Sequence, residues 1–185
     1  MPPKDFDALS EAEARAFLER YVATATERLE RFLDLVEETG GPSRATLDRS
    51  PESLVLLHVW SASRARRADA PDAAGTLPAW YEPDPPELAS QRLAPRTIAD
   101  ADGVALYFAE VLRRGWPELT WDIGKEPKRF RYAHQHKPLL KAGEVDIDVI
   151  GIAYGMGVRV AIMGTGREPE ALLDVYRAWI VDRPV

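Results

Sequence analysis

"EVDIDVIGIAYGMGVRVAIMGTG", residues 144–166, is the stretch on which the fold turns, because three different structures can be read from it. Its glycines first suggest a loop cradling a phosphate. Such a loop must follow a strand, open a helix whose first amides meet the anion, and sit inside a parallel crossover unit. Gly164-Thr165-Gly166 followed by a helix signal at Pro169 meets part of this, but after that helix only about five residues remain, too few for a second parallel strand. No Gly-Lys-Ser or Gly-Lys-Thr is present. Phosphate binding is therefore not expected. In the second reading, Glu144, Asp146 and Asp148 alternate with Val145, Ile147 and Val149 as in a half-buried strand. In the third, Asp148 caps a buried helix starting at Val149, and Gly151 and Gly155, one turn apart, let it lie close against a neighbour. Each helical glycine costs about 1 kcal/mol relative to alanine, which close packing must offset. Periodicity leaves strand and helix both open.

Upstream, Ser10 and Glu13 form a capping box that starts a helix. Phe17, Tyr21, Ala25, Leu29, Phe32 and Val36 give it one continuous apolar face, and Gly40-Gly41-Pro42 ends it. Ser50 and Pro51 open a second helix running to about Arg66. Thr97 and Asp100 open a third, closed by Gly115, and Pro169 introduces a last amphipathic helix through Tyr176 and Ile180. Between the second and third helices, residues 70–95 form a long Pro-rich loop whose Trp80-Tyr81 pair is apolar enough to pack back on the domain; the loop can also serve as a lid. Residues 116–136 read as a hairpin around Gly124–Pro127, with Trp121, Ile123, Phe130 and Tyr132 as its apolar side chains. The pattern predicts one α+β domain over residues 1–185, mostly helical, with four to five helices and a small antiparallel hairpin.

At 185 residues, 45% apolar and 29% charged, the chain has the composition of a globular protein. No apolar run is long enough to span a bilayer, and the first twenty residues lack the apolar core of a secretory signal, so a cytoplasmic protein is expected. With no cysteine, disulfides, thiolate zinc sites and a cysteine nucleophile are excluded. A net charge of −6 with dispersed basic residues argues against nucleic acid as a partner. The cluster Arg64, Arg66, Arg67, beside Asp69 and Asp72, reads as a solvated helix end.

The candidate chemistry is thin. His134 and His136 would share one face of an extended segment and, with Glu110, His58 or the acidic triplet as third ligand, can be drawn as a metal site; hydrogen-bonded histidines at a strand end are the plainer reading. The acidic triplet 144/146/148 can likewise hold a hard cation, or form the wet side of a strand or a helix cap. Glu110 has Arg113 and Arg114 three and four residues on, the spacing of a surface ion pair. Arg159, inside the most apolar segment, must reach solvent or meet Asp146 or Asp148 as a structural charge. No Gly-x-Ser-x-Gly or His-Glu-x-x-His occurs. Of five tryptophans, Trp80 and Trp116 are the two expected to be partly exposed, and with Tyr81 they form the candidate interface.

"LDRSPESLVLL", "YFAEVLRRG" followed by tryptophans, "HQHKPLL", and "AYGMGVRV" followed by "PEALLDVYRAW" occur in an order that resembles a domain-of-unknown-function family of small proteins from high-GC bacteria, over about residues 46–180. The resemblance implies a helix for the glycine-containing segment and brings no function or catalytic residues with it. Ala109 stands where that pattern has glycine, and His134 and His136 where it has asparagines, which weakens a metal reading built on the family. The expectation is a non-catalytic protein-binding module, immunity- or adaptor-like, with another protein as partner and no cofactor. The alternatives are a small metal-assisted hydrolase using His134, His136 and a carboxylate, or a small-ligand-binding domain with residues 70–95 as lid.

Overall fold

The computed structural model describes residues 5–69, 75–82, 92–125 and 134–180. Among them it has six helices and a three-stranded antiparallel sheet, an α+β, mostly helical fold as expected. A 3-10 turn, Phe6–Ala8, leads into α1 (Glu11–Ala23). The capping box forms: the Ser10 hydroxyl accepts from the Glu13 amide at 3.3 Å while the Glu13 carboxylate takes the Ser10 amide at 2.8 Å.

The single helix expected from Ser10 to Val36 is two, because α1 ends at Ala23 and α2 runs Ala25–Glu38. Thr24 makes the break. Its hydroxyl donates to the Arg20 and Tyr21 carbonyls, and Arg28 Nη2 donates to the Tyr21 carbonyl at 2.9 Å, so side chains satisfy acceptors that helical amides would otherwise take. The apolar periodicity passes through the break unchanged, which is why the sequence does not reveal it.

Helix α3 (Ser53–Arg64) starts three residues after Ser50, whose hydroxyl accepts from the Ser53 amide at 3.3 Å. Helix α4 (Pro95–Gly115) is buried almost all round and contacts α2, α3, α5 and α6, so it is the axis of the core. Two acids that the reading assigned to a helix start, or left unremarked, lie inside it: Asp100 pairs with Arg64 at 3.0 Å and Asp102 with Arg28 at 2.6 Å. Arg64 is thus a buried-pair partner and not part of a solvated helix end. Arg66 turns back onto the Ser63 and Ala65 carbonyls, close to the C-terminus of α3, where a cation is favoured.

The first predicted strand exists as β1 (Thr120–Ile123), but its partner is β2 (Pro138–Ala142), which in turn pairs with β3 (Val145–Ile147). Phe130 and Tyr132, expected in the second strand, fall outside the described residues. Ile123 packs with Ala14 and Leu18 of α1, and this fixes the sheet against the helices.

The deciding stretch is strand and then helix. Alternation holds to Ile147, after which α5 runs Val149–Ala161 with the Asp148 carboxylate accepting the Gly151 amide at 2.7 Å. The expected close approach at Gly151 and Gly155 is not what the glycines provide. A Cβ at Gly151 would meet its own cap Asp148, one at Gly155 would meet nothing, and it is Gly157 that faces another element, at Leu93 and Thr97. Gly164, at φ +71°, ends the segment in the left-handed region, and the Thr165 amide donates to the Arg159 carbonyl at 2.9 Å. Because a helix precedes this turn, no strand–loop–helix phosphate unit exists here. Helix α6 (Ala171–Ile180) follows and packs on α3. No helix among the described residues is long and apolar enough to cross a membrane.

Candidate functional site

A hollow lies between the α1–α2 junction, the N-terminal half of α4 and the described part of the Pro-rich loop. Residues Arg20, Thr24, Arg28, Arg31 and Leu35 recur every three or four positions across the break, so they form one stripe bordering the apolar face. With Phe17, Tyr21 and Phe32 they form one side of an open groove of about 740 Å³; Thr76–Ala79 and α4's Ala99, Asp102 and Gly103 form the other. This volume lies in the range of sites for small organic ligands.

Asp102 holds the groove together. It accepts from Trp80 Nε1 at 2.8 Å, the Tyr21 hydroxyl at 3.3 Å and Arg28 Nη1 at 2.6 Å. Burial, reinforced by the nearby Asp102 charge, pushes the Tyr21 hydroxyl well above the usual tyrosine range, so it stays a donor at any working pH. Arg28 also lies over the Tyr21 ring, 4.2 Å from its centroid, and is fixed by these contacts. Gly103 sets the depth: a Cβ there would overlap the Phe32 ring, which packs edge-on against Trp60.

Three arginines and one aspartate line the groove, which makes it locally basic in a chain of net charge −6. Arg28's charge is met by Asp102. Arg31 faces Glu27 at 3.5 Å with both side chains about 70% exposed, a weak and exchangeable pair. Arg20 is exposed and has no ion pair among the described residues. A second hollow, about 30 Å³ between α3, α4 and α5, is lined by His58, Ser61 and Asp100 and has room for little beyond water. Burial holds the His58 imidazole below its usual pKa, and its Nε2 meets the Gly166 carbonyl at 3.0 Å.

The residues expected to act are mostly elsewhere. Trp80 and Tyr81 are buried, 0% and 7% exposed, and pack with Tyr154; the apolar pair folds inward and does not present anchors. Trp116 is partly exposed, as expected. Glu110 lies 3.5 Å from Arg113, the surface pair its spacing suggests. His134 and His136 occupy a turn before β2 and not a strand; His136 has φ +61°, and His134 Nδ1 is 3.3 Å from Asp148 Oδ2. Lys137 approaches the same carboxylate at 3.6 Å, and Asp146 pairs with Lys141 at 2.7 Å. Among the described residues no three His, Asp or Glu side chains gather as a metal-holding group, so His134, His136 and Glu110 do not converge. Arg159 reaches solvent, the first of the two outcomes open to it.

The sequence reading missed the groove because its arginines look like an ordinary wet helix face. The available signal was their shared stripe and the Leu35 that continues it. No family model, curated protein or solved structure matches this chain.

Proposed function

We propose that this protein is a small-ligand-binding domain whose site is the groove between the α1–α2 junction, α4 and residues 76–79. The single observation that carries the reading is the combination of an aromatic and aliphatic wall with a few placed polar groups in a hollow of about 740 Å³. The wall is pre-organised, because Asp102 ties together α1, α2, α4 and the Pro-rich segment through three donors. A thermal-shift screen against a broad set of metabolites tests it. Binders should raise Tm in a concentration-dependent way, and Ala79→Trp, at an exposed position on the wall, should remove the shift without lowering the unliganded Tm. A screen without binders, or binders indifferent to Ala79→Trp, refutes the proposal.

The protein-binding reading has one supporting observation of its own. Leu56 and Val59, 45% and 47% exposed, lie one turn apart on α3. Replacing both with lysine should abolish co-elution with a protein partner and leave groove binding intact if this face docks one; unchanged co-elution rules that face out.

A further inference from the structure

We infer that the groove takes a small organic anion with an apolar body, its charged head held by Arg20 and Arg31. The inference rests on the groove being a ligand site and adds the class of ligand. It follows from how the three arginines differ. Arg28 cannot turn to a ligand, because Nη1 is held by Asp102, Nη2 by the Tyr21 carbonyl, and its plane by the Tyr21 ring. It is a fixed positive wall whose charge Asp102 already balances. Arg20 and Arg31 lie one turn before and after the Thr24–Arg28 segment on the same stripe, both exposed.

Arg20 has no carboxylate among the described residues, and Arg31's contact to Glu27 is long, at 3.5 Å, and exposed, so it exchanges for a better acceptor. A carboxylate or phosphate head that meets a guanidinium on this side of the groove gains charge-assisted bonds that a neutral or cationic ligand cannot make. Behind the heads, Phe17, Phe32, Leu35 and Leu77 offer apolar surface for the body. A bare inorganic anion would leave that surface unused. A purely apolar ligand would leave the arginines without gain.

The test is a titration of the full chain with a matched series, octanoate, octyl phosphate, octan-1-ol and octylammonium, below their micellar concentrations. Octanoate or octyl phosphate should bind at least about tenfold more tightly than octan-1-ol, with octylammonium weakest. Which of the two anions binds more tightly tells a carboxylate source from a phosphate one. Arg20→Gln combined with Arg31→Gln should bring the anions down to the level of octan-1-ol, and raised salt should narrow the gap in the unmodified protein. Equal binding of octan-1-ol and the anions, an unaltered preference in the double variant, or no binding by any of the four overturns the ligand class. The groove itself is judged separately by Ala79→Trp. If that variant removes binding of all members while no anion preference exists, the site stands and the class falls; if ligands bind regardless of it, the site falls.

Discussion

Removing the Asp102 carboxylate should cost this protein more than any other single polar change among the described residues. In Asp102→Ala, the Arg28 guanidinium, whose side chain is only 21% exposed, loses its counter-charge at 2.6 Å, and the fully buried Trp80 loses the acceptor of its indole N–H at 2.8 Å. Breaking a buried pair by removing one partner costs about 3–5 kcal/mol, and a buried donor left without an acceptor about 1–3 kcal/mol. The two losses share one carboxylate and do not simply add; Arg28 is also partly solvated, so about 4 kcal/mol is expected for the sum. Asp102→Asn keeps volume and an acceptor for Trp80, losing mainly the charge, and should cost about 2–3 kcal/mol. Urea unfolding followed by far-ultraviolet circular dichroism measures both values. The double variant Arg28→Met with Asp102→Leu supplies the decisive comparison. Since a buried pair is often replaceable by apolar residues of similar size, it should recover the part of the loss that comes from the unbalanced Arg28 charge, while Trp80 Nε1 stays without its acceptor. A loss below about 1 kcal/mol in Asp102→Ala would refute the claim that the carboxylate balances Arg28 and anchors Trp80, and a double variant no better than Asp102→Ala would refute the charge-balancing part.

Three further outcomes are expected. Gly103→Ala should lower stability by about 1–3 kcal/mol despite alanine's better helix propensity, because its Cβ overlaps a Phe32 ring held against Trp60; a rise in Tm in a thermal scan contradicts this. Burial holds His58 below its usual pKa, so the folded state prefers the neutral ring. Its contribution is complete above about pH 6.5 and is lost as pH falls below that value through the folded pKa. Unfolding free energies between pH 7.5 and 5 should fall in the unmodified protein and fall less in His58→Gln; parallel curves would exclude His58 as the source. At Asp148, burial raises the carboxyl's pKa, but the His134 contact, the Gly151 amide and Lys137 outweigh it and hold the group below its usual range. Its stabilisation is therefore present at neutral pH and lost as pH drops below about 4, and Asp148→Ala should cost about 1–2 kcal/mol at pH 7 through the lost α5 cap; NMR titration of the carboxyl measures the shift directly.

What could be read from the chain alone was whatever depends on neighbours a few residues apart. Ser10 and Glu13 mark a helix start because a capping box closes within one turn, and Asp148 does the same for α5. The alternation from Val145 to Ile147 and the helical spacing in α6 gave element types, hence the α+β class. The strand and helix readings of residues 144–166 were both partly right, since each describes a different half of the stretch. The tertiary structure alone decided where charges and aromatics go. Asp100 and Asp102 lie inside α4 because their arginines arrive from 36 and 74 residues away, and Trp80 turns inward because Asp102 offers its indole an acceptor. The groove draws on the same long-range contacts: Arg28, which takes the Tyr21 carbonyl at the break, is held in turn by Asp102 of α4. Local spacing encodes which face of an element is apolar, but the partner that compensates a buried charge is chosen only when the elements meet.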